Sequence, residues 1–291
     1  MSNVSPAAEG SANAAMRQYW NEVAGPRWVG RLGVQEARNV EVTAMLLEAA
    51  RVAPGERVLD VGCGPGATTL PYAAAVGPTG HVTGIDIAEP MLAVARQRVA
   101  EQRLANVSLI LGDAQVHPLT PASFDLVTSR FGVMFFADPA AAFRNLCCAL
   151  RPGGRLCMAV WASIEENVHR KVPYDIALRH LGAPSPAPAH APSAEVFSDR
   201  DYFRGILAAA GFADIAITPK RFHVRGGSAT SMAEHVALFG AVQRLMDEKG
   251  ADDATRQAII DETEAALAAY ATPDGVRLPA MFLLATALRP S

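Results

Sequence analysis

The chain has 291 residues, half of them hydrophobic and 19% charged, with 26 Lys and Arg against 29 Asp and Glu. That length and apolar content can bury a full core, which excludes disorder for most of the chain. A formal net charge of −3 and the lack of any Lys/Arg-rich run argue against binding nucleic acid or anionic lipid by counterion release, so a small-molecule partner is expected.

The first twenty residues show no basic segment followed by an apolar one, so no secretory leader is expected. No stretch approaches the roughly 18 apolar residues of a membrane span. Residues 1–53 read as an N-terminal helical cover in which Tyr19, Trp20 and Trp28 either pack on the core or roof a ligand pocket. Trp28 is placed at that pocket. From about 54 to 160, β-rich runs alternate with Ala-rich amphipathic stretches, the pattern of a parallel sheet covered by helices. The predicted strands are 57–62, 81–86, 107–113, 124–129 and 155–161, with helices near 67–76, 89–103 and 138–150. Glu89-Pro90 suits a first helical turn, and Arg151-Pro152-Gly153-Gly154 is a stop signal.

Beyond the core, the Pro/Ala stretch 183–194 reads as a stiff surface connector. A helix over 198–212 is expected, with Ser198 as its N-cap and Gly211 closing it, followed by a strand at 213–218. Residues 233–246 and 254–270 read as two helices of an insertion at 228–271, and 277–288 as the final strand of a seven-stranded sheet. The expected organisation is therefore an α/β, Rossmann-like core (54–227 and 272–291) with the N-terminal cover and a helical lid inserted before the last strand. The four cysteines, Cys63, Cys147, Cys148 and Cys157, form no CxxC pair and have no His at metal-ligand spacing. No metal is expected, and reduced thiols in a cytoplasmic setting are.

The segment VLDVGCGPG at 58–66 sets Gly62, Gly64 and Gly66 on the turn between the first strand and first helix, where a ligand can approach the backbone and the helix N-terminus. Gly62 to Ala67 also satisfies GxGxxA, so a dinucleotide oxidoreductase stays open on this motif. Three carboxylates favour S-adenosylmethionine. Asp60, just before the loop, suits a cationic amino-acid end and would repel a pyrophosphate. Asp86, ending the second strand 24 residues after Gly62, can accept from both ribose hydroxyls, a signal that dinucleotide sites share. Asp113, ending the third strand, can accept from the adenine amine.

Taken in order, VLDVGCGPG, GIDIAEPML, GDAQ, FDLVTSRFGVMFFADP and ALRPGGRL resemble the motifs of class I S-adenosylmethionine-dependent methyltransferases, over about 54–161. Within them the chain looks like the group related to ubiquinone/menaquinone-biosynthesis C-methyltransferases. The resemblance implies that Asp60, Gly62, Cys63 and Gly64 line the methionine end of the cofactor, Asp86 and Ile87 the ribose, Met91 and Ala114 the adenine faces, and Asp113 the adenine amine. Ser129, Arg130 and Phe131 would border the methyl-transfer point. Ala88 stands where such proteins commonly carry Ser, which implies a weaker cap on the second helix.

Each assignment competes with an ordinary structural one: a tight glycine turn, an Asp serving as N-cap, a Phe in the core. Of the histidines at 81, 117, 169, 180, 190, 223 and 235, His117, His223 and His235 are the candidates for a general base, although transfer from a sulfonium can proceed by alignment and desolvation alone. The segment after the fourth strand, SRFGVMFF, lacks the Asn/Asp-Pro-Pro-aromatic motif of nucleobase methylation and any carboxylate to hold an arginine substrate. The expected reaction is methyl transfer to carbon or oxygen of a small apolar or aromatic acceptor, against the alternative of a non-catalytic S-adenosylmethionine-binding sensor or assembly protein.

Overall fold

In the computed structural model, residues 13–291 are described; residues 1–12, and with them most of the segment read for a leader, lie outside the described part. The strands are β1 (Arg57–Val61), β2 (His81–Asp86), β3 (Val107–Leu111), β4 (Phe124–Arg130), β5 (Leu150–Trp161), β6 (Ala213–Arg225), the short β7 (Ala271–Thr272) and β8 (Gly275–Leu288). They form one sheet in the order β3-β2-β1-β4-β5-β8-β6, with β7 paired to β8, so the expected seven-stranded sheet gains an eighth, two-residue strand. β1 to β5 pair in parallel and β8 runs antiparallel between β5 and β6. Strand order reverses between β1 and β4, and this opens the ligand crevice at the carboxyl ends of those strands.

The N-terminal cover comprises α1 (Ala14–Tyr19), a π-turn (Trp20–Ala24), α2 (Gly25–Gly30) and α3 (Leu32–Ala50). The core helices are α4 (Thr69–Val76), α5 (Glu89–Glu101), α6 (Pro139–Ala149), α7 (Val168–Leu181) and α8 (Arg200–Ala209); α9 (Ala229–Ala237), α10 (Gly240–Glu248) and α11 (Asp253–Leu267) fill the insertion. Alternate strand residues face opposite sides, so each strand feeds two cores. Leu59, Val127, Met158 and Val160 pack with Phe143 and Leu146 of α6 and Phe203 and Leu207 of α8. Val58, Leu126, Cys157 and Ala159 pack with Val42 and Leu46 of α3 and Tyr72 and Val76 of α4. Burial on both faces explains why β1, β4 and the second half of β5 read as continuous apolar runs, whereas the edge strands β3 and β6 stay partly exposed. A third core joins Ile176 and Ala177 of α7 to Ala237, Val242, Leu245, Met246 and Ile259 of the insertion.

Three local expectations are corrected. The N-cap of α8 is Asp199, whose Oδ1 accepts from the amides of Asp201 (2.9 Å) and Tyr202 (3.1 Å); the Ser198 hydroxyl donates instead to the Glu195 carbonyl (2.7 Å). The helix expected over 233–246 is two helices, separated at Leu238 and Phe239, with Gly240 at φ +71°. The strand expected at 213–218 runs on to Arg225 through Pro219, which β6 tolerates because it lies at the sheet edge. Among the described residues, no helix is long and apolar enough to cross a membrane.

Candidate active site

The turn after β1 holds its shape through three positive-φ glycines, Gly62 (+64°), Gly64 (+53°) and Gly66 (+86°). At Gly62 there is a second reason for glycine: a Cβ there would stand 2.6 Å from Gly132 Cα, and one on Gly132 would stand 2.7 Å from Gly62 Cα. The tips of β1 and β4 therefore touch backbone to backbone. Ser129 clamps them, its hydroxyl donating to the Val61 carbonyl (2.7 Å) and accepting from the Gly132 amide (3.1 Å).

Asp86 closes the next edge. Its Oδ2 accepts from the Gly64 amide (2.7 Å) and its Oδ1 from the Ala88 amide (2.8 Å). Burial raises its carboxyl above the usual range, and these amides oppose the rise by favouring the charged form. Asp113 Oδ1 accepts from the Gln115 amide (3.0 Å) at the tip of β3, beside the buried Ala114. Met91 reaches over the turn, its methyl 3.2 Å from where a Gly64 Cβ would lie.

These tips open into a cavity of about 280 Å³. Of the residues singled out from the sequence, Trp28, Gly62, Cys63, Gly64, Asp86, Ile87, Met91, Asp113, Ala114, Arg130 and Phe131 line it. Asp60 and Ser129 do not: Ser129 serves the clamp, and Asp60, 0% exposed, turns behind the glycine turn to accept from the hydroxyls of Thr68 and Thr69 (both 2.7 Å). Burial pushes the Asp60 carboxyl up to about 6 against those hydroxyls and the nearby Arg130. Any influence of Asp60 on a ligand is through space. The weak cap expected at Ala88 is met from outside the core. Asn21, in the π-turn, accepts from the Glu89 amide (3.0 Å) and donates to the Ile87 carbonyl (2.9 Å), tying the N-terminal cover to the tip of β2.

Past Phe131 the cavity changes character. Phe131 takes φ +66°, costly for a bulky residue, and its ring stacks on Trp161 at 4.2 Å and 4°. Trp20 and Trp28 (6.2 Å apart), Phe135 (5.4 Å from Trp20) and Phe239 (6.3 Å from Trp28) join the cover and insertion into an aromatic wall. Of the candidate histidines, His235 lines the cavity, whereas His117 and His223 do not. His169, Arg170 and the α3 residues Gln35, Arg38 and Asn39 also line it and were missed. A signal existed on α3: the buried stripe Val42, Leu46, Ala50 continues backwards at helical spacing to Asn39 and Gln35, polar residues on a buried face.

The turn fits an adenosine better than a pyrophosphate. The Gly64 amide, which a phosphate would need, already donates to a carboxylate, while the half-buried Asp86 lines the cavity and Met91 and Ala114 offer apolar contacts. The comparisons with known proteins agree. A family model described as a methyltransferase domain matches residues 53–183. Nocamycin O-methyltransferase of Saccharothrix syringae is 34% identical over 213 residues, covering 69% of this chain and 76% of that protein.

The chain belongs to the S-adenosylmethionine-dependent methyltransferases.

The resemblance of this methyltransferase to the menaquinone group is carried by a demethylmenaquinone methyltransferase of Listeria monocytogenes, 44% identical over 106 residues, which are 36% of this chain and 45% of that relative. The fold is shared with phosphoethanolamine N-methyltransferase 2 of Haemonchus contortus in complex with S-adenosyl-L-methionine, at TM-score 0.53 and 19% identity, covering 86% of this chain and 53% of that one. The cofactor of the methyltransferase is S-adenosylmethionine.

Proposed function

We propose that this methyltransferase binds S-adenosylmethionine across the tips of β1, β2 and β3 and methylates carbon or oxygen of a small, largely apolar or aromatic molecule seated beyond Phe131. One observation carries this reading: a single cavity runs from the glycine turn and Asp86 to an aromatic chamber walled by Trp28, Phe131, Phe135, Trp161 and Phe239. The cofactor, when bound, supplies an electrophilic methyl group on its sulfur. In this reading Gly62, Cys63 and Gly64 line its methionine end, Asp86 accepts from the ribose hydroxyls, Met91 and Ala114 sandwich the adenine, and Asp113 accepts from its amine. The aromatic walls exclude water and hold a flat acceptor in line with the methyl group, which supplies much of the barrier reduction by alignment alone.

The insertion 228–271 forms the far wall through His235, Phe239 and Val242, and acts as a lid that moves to admit the acceptor. The two relatives named for nocamycin and demethylmenaquinone support a small-molecule acceptor and favour catalysis over a purely cofactor-binding role. A reducing, cytoplasmic setting suits the four unpaired cysteines. The test is transfer of a tritiated methyl group from S-adenosylmethionine to a panel of phenols, quinols and lipids. Labelling of a small molecule is expected; failure across the panel together with labelling of a protein band would reverse the reading.

A further inference from the structure

We infer that the acceptor is anionic, carrying a carboxylate or an ionised phenol or enol that Arg38 grips in the chamber beside His169 and His235. The inference rests on the methyltransferase reading above and narrows its acceptor class. Of the charged groups in the cavity wall, the carboxylates Asp86 and Asp113 stand at the β2 and β3 tips and Arg130 at the β4 tip, where it donates to the Thr43 hydroxyl and lies near the Asp60 carboxylate, while Arg38, Arg170 and Arg244 come from α3, α7 and α10. Among the described residues, neither Arg38 nor Arg244 makes an ion pair or hydrogen bond, and Arg170, paired with Glu195 and set 5.6 Å from the Trp161 ring, keeps a buried Nη1 without a partner.

The imidazoles point the same way. His169 is 2% and His235 1% exposed; His169 Nδ1 and both ring nitrogens of His235 have no partner in the protein. Burial and the nearby Arg38 hold both rings well below the ordinary histidine range, so they stand neutral and each has a ring N–H to donate. Burial and Arg170 likewise lower Arg38 to about 10, the response of a guanidinium with no counter-charge beside it. A neutral acceptor would leave this cluster desolvated and unmatched. An anion would satisfy the guanidinium and the imidazole donors together.

The same cation could instead serve the carboxylate of the cofactor's own amino acid, and the experiment separates the two. Calorimetry on the full chain saturated with S-adenosylhomocysteine compares benzoate and 2-naphthoate with their neutral amides. The carboxylates should bind at least about tenfold more tightly than the amides. Arg38→Met should remove that preference and Arg38→Lys retain part of it, both with S-adenosylhomocysteine affinity within about twofold of the parent. Arg244→Met, at an exposed position, should weaken carboxylate binding more mildly and guards against misfolding of the Arg38 variants. Equal binding of acids and amides, or no binding of either acid, would overturn the inference. So would loss of S-adenosylhomocysteine affinity in Arg38→Met with carboxylate binding intact. Loss of S-adenosylhomocysteine binding by the parent chain would instead sink the methyltransferase reading itself.

Discussion

Asp60 offers a sharp test of how the glycine turn is supported. Its carboxyl is fully buried behind the turn, with Oδ2 satisfied by Thr68 and Thr69 and Oδ1 without a partner. Folding raises it from 3.8 to about 6, so the native chain holds a proton there over a pH range in which the unfolded chain has released it. Stability from this group is therefore fully present below pH 4 and lost as pH rises through 6; at about 1.4 kcal/mol per unit the loss is about 3 kcal/mol. Asp60→Asn keeps an oxygen for the two threonine hydroxyls and removes the titration. It also places an amide where Oδ1 stood, but that offset does not vary with pH. Urea unfolding of parent and variant at pH 4.5, 6 and 8 should show the variant gaining on the parent with rising pH, by about 2–3 kcal/mol across the range. A constant difference between the two chains at all three pH values would refute the reasoning.

Further expectations concern the strand tips. Gly62→Ala forces a Cβ against Gly132 at positive φ and should destabilise by about 3 kcal/mol or more, whereas Gly64→Ala meets only the flexible Met91 methyl and should cost about 1–2 kcal/mol. Urea midpoints of the two variants, compared at constant slope, check the ranking. Asn21→Ala removes the acceptor for the Glu89 amide and the donor to Ile87, and should cost about 1 kcal/mol; hydrogen exchange at Glu89 should accelerate, and unchanged exchange would count against the tie.

Much of the architecture was legible because the central strands are buried on both faces and therefore read as apolar runs of strand length between Gly and Pro punctuation. The glycine turn and the strand-end Asp86 and Asp113 were legible for a related reason: the tip of a parallel strand is a fixed distance from its sequence markers. What escaped depends on tertiary placement. Nothing local to Ala88 announces that Asn21, in a π-turn 67 residues earlier, caps its helix. Gly240 in the insertion reads as one residue within a helical pattern, yet its positive φ marks the break between two helices. His169 and Arg170 belong to the site because α7 is carried there by the third core, which no short-range spacing encodes. Asp60 does not itself line the cavity, because alternation along β1 fixes the face of the sheet its side chain meets and the hydroxyls of Thr68 and Thr69 at the start of α4 hold the carboxylate there.

The central claim is that the tips of β1, β2 and β3 grip the adenosine of the cofactor, with Asp86 at the ribose. Its most direct test is calorimetric titration of S-adenosylhomocysteine into the parent chain and into Asp86→Asn, each checked for a cooperative unfolding transition. The account predicts a single site in the parent and an affinity at least about tenfold weaker in the variant, the loss of charge-assisted acceptance from two hydroxyls. No heat with folded parent protein, or equal affinity in the two chains, would contradict it.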